Sequence, residues 1–75
     1  MTLALTNLQY RILELIVENF DAGLKGFNRA DTLSEELPAD IEEVRSALLT
    51  LEKKLFVEKL PGKIYSPTPK GRGEI

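Results

Sequence analysis

Residues 33–68 read LSEELPADIEEVRSALLTLEKKLFVEKLPGKIYSPT, and the order of helical and strand-like patterns in this stretch indicates the fold. Pro38 lacks a backbone donor and restricts Leu37, so a short helix is expected to stop there. Asp40 is a good residue to cap a following helix, and Glu43, three residues later, completes a capping box. The stretch therefore predicts two consecutive helices separated by a tight break.

The longer of these helices is expected over residues 41–55. Its apolar residues recur at helical spacing and share one face: Ile41, Val44, Leu48, Leu51 and Leu55. From Phe56 the pattern becomes strand-like, and Pro61-Gly62 is a turn signal between two short runs. Residues 56–68 are therefore expected to form a two-stranded β-hairpin.

Upstream, a first helix is expected over residues 7–20, capped by Thr6 or Asn7. Its main apolar stripe is formed by Leu8, Ile12, Leu15, Ile16 and Phe20. A second stripe, Tyr10, Leu13 and Val17, indicates a helix that is either buried on most of its circumference or shared with another chain. Burial within one domain is the favoured interpretation, and a surface for a homodimer or a protein partner is the alternative.

The remaining segments complete an α+β domain that spans residues 1–75. A helix is expected over residues 29–37, capped by Asn28 or Asp31 and facing the core with Leu33 and Leu37, and a frayed tail over residues 69–75. Three helices followed by a short two-stranded hairpin are the order of a winged helix-turn-helix, in which the third helix enters a DNA major groove.

The composition argues against catalysis. The chain has no cysteine and no histidine, which removes thiolate ligands, disulfides and the commonest general base. Its glycines form no phosphate-loop pattern, so we expect no enzyme, no metal site and no cofactor. No apolar run exceeds three residues and the N-terminus lacks the features of a signal peptide, so the expected location is the cytoplasm, without a membrane segment.

The charge is unevenly distributed along the chain. The net charge is −2, and residues 1–40 carry three basic and seven acidic side chains. Residues 53–73, by contrast, carry six basic side chains and one acidic one. A positive surface over the third helix and hairpin suits contact with phosphate, although lysines also favour a helix C-terminus and keep a hairpin soluble.

Three segments carry a resemblance to a known family. Residues 5–13 read LTNLQYRIL, residues 44–54 read VRSALLTLEKK and residues 66–72 read SPTPKGR. In this order they resemble the LTxxQYRVL, V-S-R-x-L…L-E-x-x-G and L-T-P-K-G-R segments of MarR-type winged helix-turn-helix regulators. Leu55 stands where that family usually has glycine, so the turn into the hairpin is expected to differ. The family's acidic-x-Arg wing signature and its outer dimerisation helices are absent from this sequence.

The resemblance implies a DNA-binding transcriptional regulator whose third helix reads the major groove and whose hairpin contacts phosphates. The side chains expected to contact duplex DNA lie on the third helix, on the hairpin and beyond it: Arg45, Ser46, Thr50, Lys53, Lys59, Lys63, Lys70 and Arg72. The alternative is a winged-helix protein-interaction module without DNA binding. The acidic N-terminal half, Leu49 and the second stripe of the first helix favour that alternative, and Glu42 and Glu43 count against contact with DNA.

Overall fold

The computed structural model describes residues 5–75. Three α-helices come first and are followed by an antiparallel hairpin and a last short helix: α1 (Asn7–Asp21), α2 (Ala30–Glu36), α3 (Ile41–Lys53), β1 (Val57–Leu60), β2 (Ile64–Pro67) and α4 (Pro69–Gly73). A 3-10 turn, Lys25–Phe27, lies between α1 and α2. The predicted α+β class and the order of three helices before a hairpin are confirmed, and the arrangement is compatible with a winged helix.

Both long helices begin with a capping box. The Thr6 hydroxyl accepts a hydrogen bond from the Gln9 backbone N–H at 3.1 Å, and the Gln9 side chain accepts one from the Thr6 N–H at 3.1 Å. Asp40 and Glu43 form the same reciprocal pair at 3.0 and 3.2 Å. Each pair satisfies backbone donors that a helix start leaves without partners, so the beginnings of α1 and α3 are fixed by local sequence.

The core lies where α1, α2 and α3 meet the hairpin. Its buried apolar side chains come from all of these segments: Leu5, Ile12, Leu13, Leu15, Ile16, Leu33, Leu37, Val44, Ala47, Leu48, Leu51, Phe56 and Val57. Leu13 is fully buried and Val17 packs against the core, whereas Tyr10 remains 38% exposed. The second stripe of α1 therefore belongs mainly to the core, as the favoured interpretation predicted.

The start of α2 differs from the prediction, because neither Asn28 nor Asp31 caps it. The N-cap position is Arg29, which makes no side-chain cap hydrogen bond. Asn28 is instead fully buried: its Nδ2 donates to the Ile16 carbonyl at 3.0 Å, and its Oδ1 accepts from Asn19 Nδ2 at 3.0 Å. Both polar atoms of the Asn28 side chain thus attach the chain before α2 to α1.

The hairpin is attached to the same segment. In its register Leu60 pairs with Ile64, so residues 61–63 form the tip. The Tyr65 N–H donates to the Asn28 carbonyl at 2.8 Å, and Arg29 Nη1 donates to the Gly62 carbonyl at 2.9 Å. One of these bonds is made on β2 and the other at the tip, and together they hold the hairpin against the start of α2.

The turn between α3 and β1 corrects two expectations about Leu55. Leu55 was expected on the apolar stripe of the helix, but α3 ends at Lys53 and Leu55 is 66% exposed. Its φ of 65° is left-handed, a conformation that favours glycine and costs another residue about 1–2 kcal/mol. The turn therefore keeps the backbone conformation for which glycine is suited, although a leucine occupies it.

Residues 69–73 form a helix, so the expected frayed tail is wrong for this segment. The Thr68 hydroxyl caps α4 by accepting from the Gly71 N–H at 3.0 Å, and it donates to the Leu55 carbonyl at 2.6 Å. Gly71 is buried against the Phe56 carbonyl, and a Cβ at Gly71 would collide with that backbone. Close backbone contact, which glycine permits, therefore fixes α4 to the beginning of the hairpin.

Candidate nucleic-acid interface

The outer face of α3 is the first component of the candidate site. Val44, Ala47, Leu48 and Leu51 face the core, which leaves the opposite side of the helix in solvent. That side presents Arg45, Ser46, Leu49 and Lys53, all of them exposed. Side chains four residues apart are neighbours on a helix, so Arg45, Leu49 and Lys53 form one row along α3.

A groove of about 540 Å³ lies between α3, the start of α2 and the hairpin. It is lined by residues from all three elements: Arg29, Ala30, Asp31, Ile41, Arg45, Leu49, Glu52, Lys59, Lys63 and Tyr65. Four of these side chains are basic and two are acidic, so the lining carries a charge of +2 on a chain of net charge −2. The groove concentrates positive charge beside the exposed face of α3.

Arg29 is a groove residue that the sequence analysis missed. Its Nη1 holds the Gly62 carbonyl at the hairpin tip, and its Nε lies 3.4 Å from the Asp31 carboxylate. The Asp31 carboxylate accepts from the Thr32 N–H and faces Arg29, and these contacts lower the pKa of Asp31. Arg29 therefore positions the tip that carries Lys63 while keeping its own cationic group at the groove.

The hairpin supplies Lys59 and Lys63. Lys59 is exposed on β1, and Lys63 has a φ of 61° at the end of the tip. Within residues 5–75 neither ammonium group makes a hydrogen bond or an ion pair. Both groups are thus available to an anionic ligand that enters the groove.

Tyr65 on β2 is a second groove residue that the sequence analysis did not single out. Burial raises the pKa of the Tyr65 phenol, and the Glu52 carboxylate raises it further. Like any tyrosine, Tyr65 is protonated near neutral pH, and as a groove residue it can donate a hydrogen bond to a ligand there.

Arg45 is exposed but has a partner on its own helix. Its Nη1 lies 3.4 Å from Glu42 Oε2, and both side chains are more than half exposed. An ion pair this exposed contributes about 0–1 kcal/mol, so a ligand of stronger charge can replace Glu42 at little cost.

Ser46 and Thr50 are less accessible from the groove. Ser46 lines a separate cleft of about 390 Å³ between the starts of α1 and α3, together with Thr6, Leu8, Gln9, Glu42, Glu43 and Ala47. Thr50 is half-buried, and its hydroxyl donates to the Ser46 carbonyl at 3.3 Å. Neither residue lines the groove that holds the basic side chains.

Lys70 and Arg72 were expected to contact DNA, but they do not line the groove either. Lys70 Nζ donates to the Lys54 carbonyl at 2.9 Å and lies 5.0 Å from the centre of the Phe56 ring. Arg72 holds both carboxylate oxygens of Asp21, at 2.6 and 3.2 Å, and these hydrogen bonds lower the pKa of Asp21. Both head groups are therefore engaged in fastening α4 to the rest of the fold.

The alternative interpretation of the second stripe on α1, as a surface for a partner chain, also needs correction. Leu13 is fully buried and offers nothing to a second chain, and Val17 is half-buried. Tyr10 is the member of this stripe whose side chain is substantially exposed. The three residues therefore do not form a continuous apolar surface.

Two other features are absent from the part of the chain that the structure describes. Within residues 5–75, no group of three or more acidic side chains is placed to hold a metal ion. The helices of the same residues lack the combination of length and apolar character that crossing a membrane requires.

Comparison of the chain with protein-family models, curated proteins and solved structures gave no match.

Proposed function

We propose that this domain binds duplex DNA as part of a transcriptional regulator, with α3 in the major groove and the hairpin against the phosphate backbone. The observation that carries the proposal is the groove beside α3, in which Arg29, Arg45, Lys59 and Lys63 gather on an otherwise acidic chain. Clustered cations beside an exposed helix are the electrostatic feature expected of a DNA-binding surface.

Each element has a distinct task in this proposal. Arg45 can form two hydrogen bonds with a guanine once it leaves Glu42, and such a pair discriminates against other bases by about 1–3 kcal/mol. Lys53, Lys59 and Lys63 contact phosphates, which fix the orientation of the domain without reading sequence. The resemblance of residues 5–13, 44–54 and 66–72 to MarR-type regulators supports the same assignment.

The test is a titration of the domain into labelled duplex DNA, followed by fluorescence anisotropy at several salt concentrations. The three phosphate contacts predict that log K falls with log salt with a slope of about −3. Lys63→Glu should weaken binding and make the slope shallower by about 1, because one phosphate contact is lost.

Lys25→Glu is the matched control. It makes the same change of charge at an exposed residue of the 3-10 turn, outside the groove. It should weaken binding much less than Lys63→Glu does. Equal effects of the two substitutions would mean that binding follows the net charge and not the groove.

The second candidate function is a winged-helix protein-interaction module without DNA binding. It is favoured by the exposed Leu49 and by the Glu42–Arg45 pair, which puts a carboxylate on the face that would meet phosphate. Absence of DNA binding at low salt, by a protein that circular dichroism shows to be folded, would select this function.

A further inference from the structure

We infer that Leu49 reads the C5-methyl group of a thymine in the DNA site. The inference rests on the proposed function, and it names a base that the domain selects. Leu49 is a large apolar side chain on α3 that is 53% exposed, whereas Val44, Leu48 and Leu51 of the same helix are buried. Its position and not its exposure distinguishes Leu49, since Leu55 is more exposed, at 66%, but lies outside the groove.

The position of Leu49 on α3 points to base edges. It lies one turn after Arg45 and one turn before Lys53, so a basic side chain stands on each side of it along the helix. It also lines the groove in which the basic residues gather. When those cations contact the duplex, Leu49 lies between them and is brought against the same surface.

The chemistry of the duplex then identifies the contact. The edges of the base pairs in the major groove carry hydrogen-bonding groups, with the C5-methyl of thymine as the apolar exception. A leucine placed against polar base edges would displace the water bound to those edges without replacing its hydrogen bonds. A leucine placed against a methyl group instead buries apolar surface on both partners.

The geometry also limits where the thymine lies. Arg45 and Leu49 are four residues apart, which corresponds to about 6 Å along a helix axis. Base pairs are spaced by about 3.4 Å, so the thymine should lie at most roughly two base-pair steps from the base that Arg45 contacts, the larger offset applying if α3 lies along the groove.

The experiment removes the methyl group and leaves the hydrogen-bonding edge unchanged. A duplex selected by the domain from a randomised pool is resynthesised with each thymine replaced, one at a time, by deoxyuridine. Affinities are measured for the unsubstituted domain, for Leu49→Ala and for Leu55→Ala, which shortens an exposed leucine outside the groove. Circular dichroism verifies that both variants are folded.

We expect one deoxyuridine position to weaken binding by the unsubstituted domain about threefold to fivefold, the effect of one buried methyl group. The same position should have no effect on Leu49→Ala and an undiminished effect on Leu55→Ala.

Two results would overturn the inference. If the selected duplex binds but no deoxyuridine position matters, or if Leu49→Ala keeps the discrimination, Leu49 does not read thymine and the proposed function stands. If no duplex is enriched or bound, the proposed function fails together with the inference.

Discussion

Two clusters of basic side chains near the C-terminal end of the chain differ in how their charge is used. At the hairpin, Lys59 and Lys63 line a groove, and within residues 5–75 their ammonium groups have no hydrogen-bond or ion-pair partner. On α4, Lys70 and Arg72 bind a backbone carbonyl and a carboxylate of the chain itself. The two clusters look alike when charges are counted along the sequence. Their contacts differ: the hairpin cluster can bind an anion, whereas the α4 cluster attaches a helix to the rest of the domain.

The largest expected effect concerns the attachment of α4. Gly71→Ala places a Cβ against the Phe56 carbonyl, so either the helix or the hairpin must shift. We expect the free energy of unfolding to fall by about 3 kcal/mol, the upper end of ordinary overpacking. Urea denaturation measures the change.

Gly73→Ala is the control, because a Cβ there has nothing within 4 Å. It should change the stability by less than about 0.5 kcal/mol. Equal stabilities of the two variants would contradict the role assigned to Gly71.

The second prediction concerns variants in which the two positive charges of one cluster are removed and the other cluster is left intact. Lys59→Gln with Lys63→Gln should weaken DNA binding about tenfold and make the salt slope shallower by about 2, because two phosphate contacts are lost. Lys70→Gln with Arg72→Gln removes the same charge, yet it should weaken DNA binding much less, because neither residue lines the groove. Similar losses from the two double variants would show that the clusters do not differ in function.

A smaller effect is expected at the turn that joins α3 to the hairpin. Leu55→Gly relieves a left-handed leucine and should stabilise the domain by about 1 kcal/mol, with DNA affinity unchanged. Thermal denaturation provides the measurement. Lys54→Gly is its counterpart: the φ of Lys54 is −84°, so glycine there brings no relief and should destabilise the domain.

The smallest effect is the pH dependence of the Asp21–Arg72 pair. Arg72 lowers the pKa of Asp21 below its ordinary value of 3.8, so the folded state holds this proton less tightly than the unfolded state. The pair therefore stabilises the fold above pH 3.8, and that contribution is lost as the pH falls through the lowered pKa.

Asp21→Asn should accordingly lose less stability on acidification than the unsubstituted domain, which acid denaturation followed by circular dichroism can detect. An unchanged acid transition would contradict a contribution from this pair.

Local signals made most of the fold predictable. The two capping boxes, Pro38 and the turn at Pro61-Gly62 act on neighbouring residues, so they can be read without knowing the tertiary structure. The helical period at Leu55 was misleading, because apolar spacing does not distinguish the last turn of a helix from a left-handed residue after it. At α4, Thr68 followed by Pro69 is a helix-start signal, but the nearby glycines suggested a frayed end.

The candidate site was less predictable, because its arrangement depends on contacts between distant residues. Arg29 belongs to the groove through the Gly62 carbonyl, 33 residues away, and no periodicity marks such a contact. Lys70 and Arg72 are residue types that often bind phosphate, yet in the fold they contact Lys54, 16 residues away, and Asp21, 51 residues away. The exposed row of Arg45, Leu49 and Lys53, by contrast, follows directly from the helical period of α3.

A two-dimensional ¹H–¹⁵N NMR titration of the labelled domain with duplex DNA would locate the binding surface directly. We expect chemical-shift changes to concentrate on α3, on the start of α2 and on the hairpin tip at residues 61–63, while Lys70 and Arg72 are little affected. Changes centred on α4, or a spectrum that the duplex leaves unaltered at low salt, would contradict the claim that the groove beside α3 binds DNA.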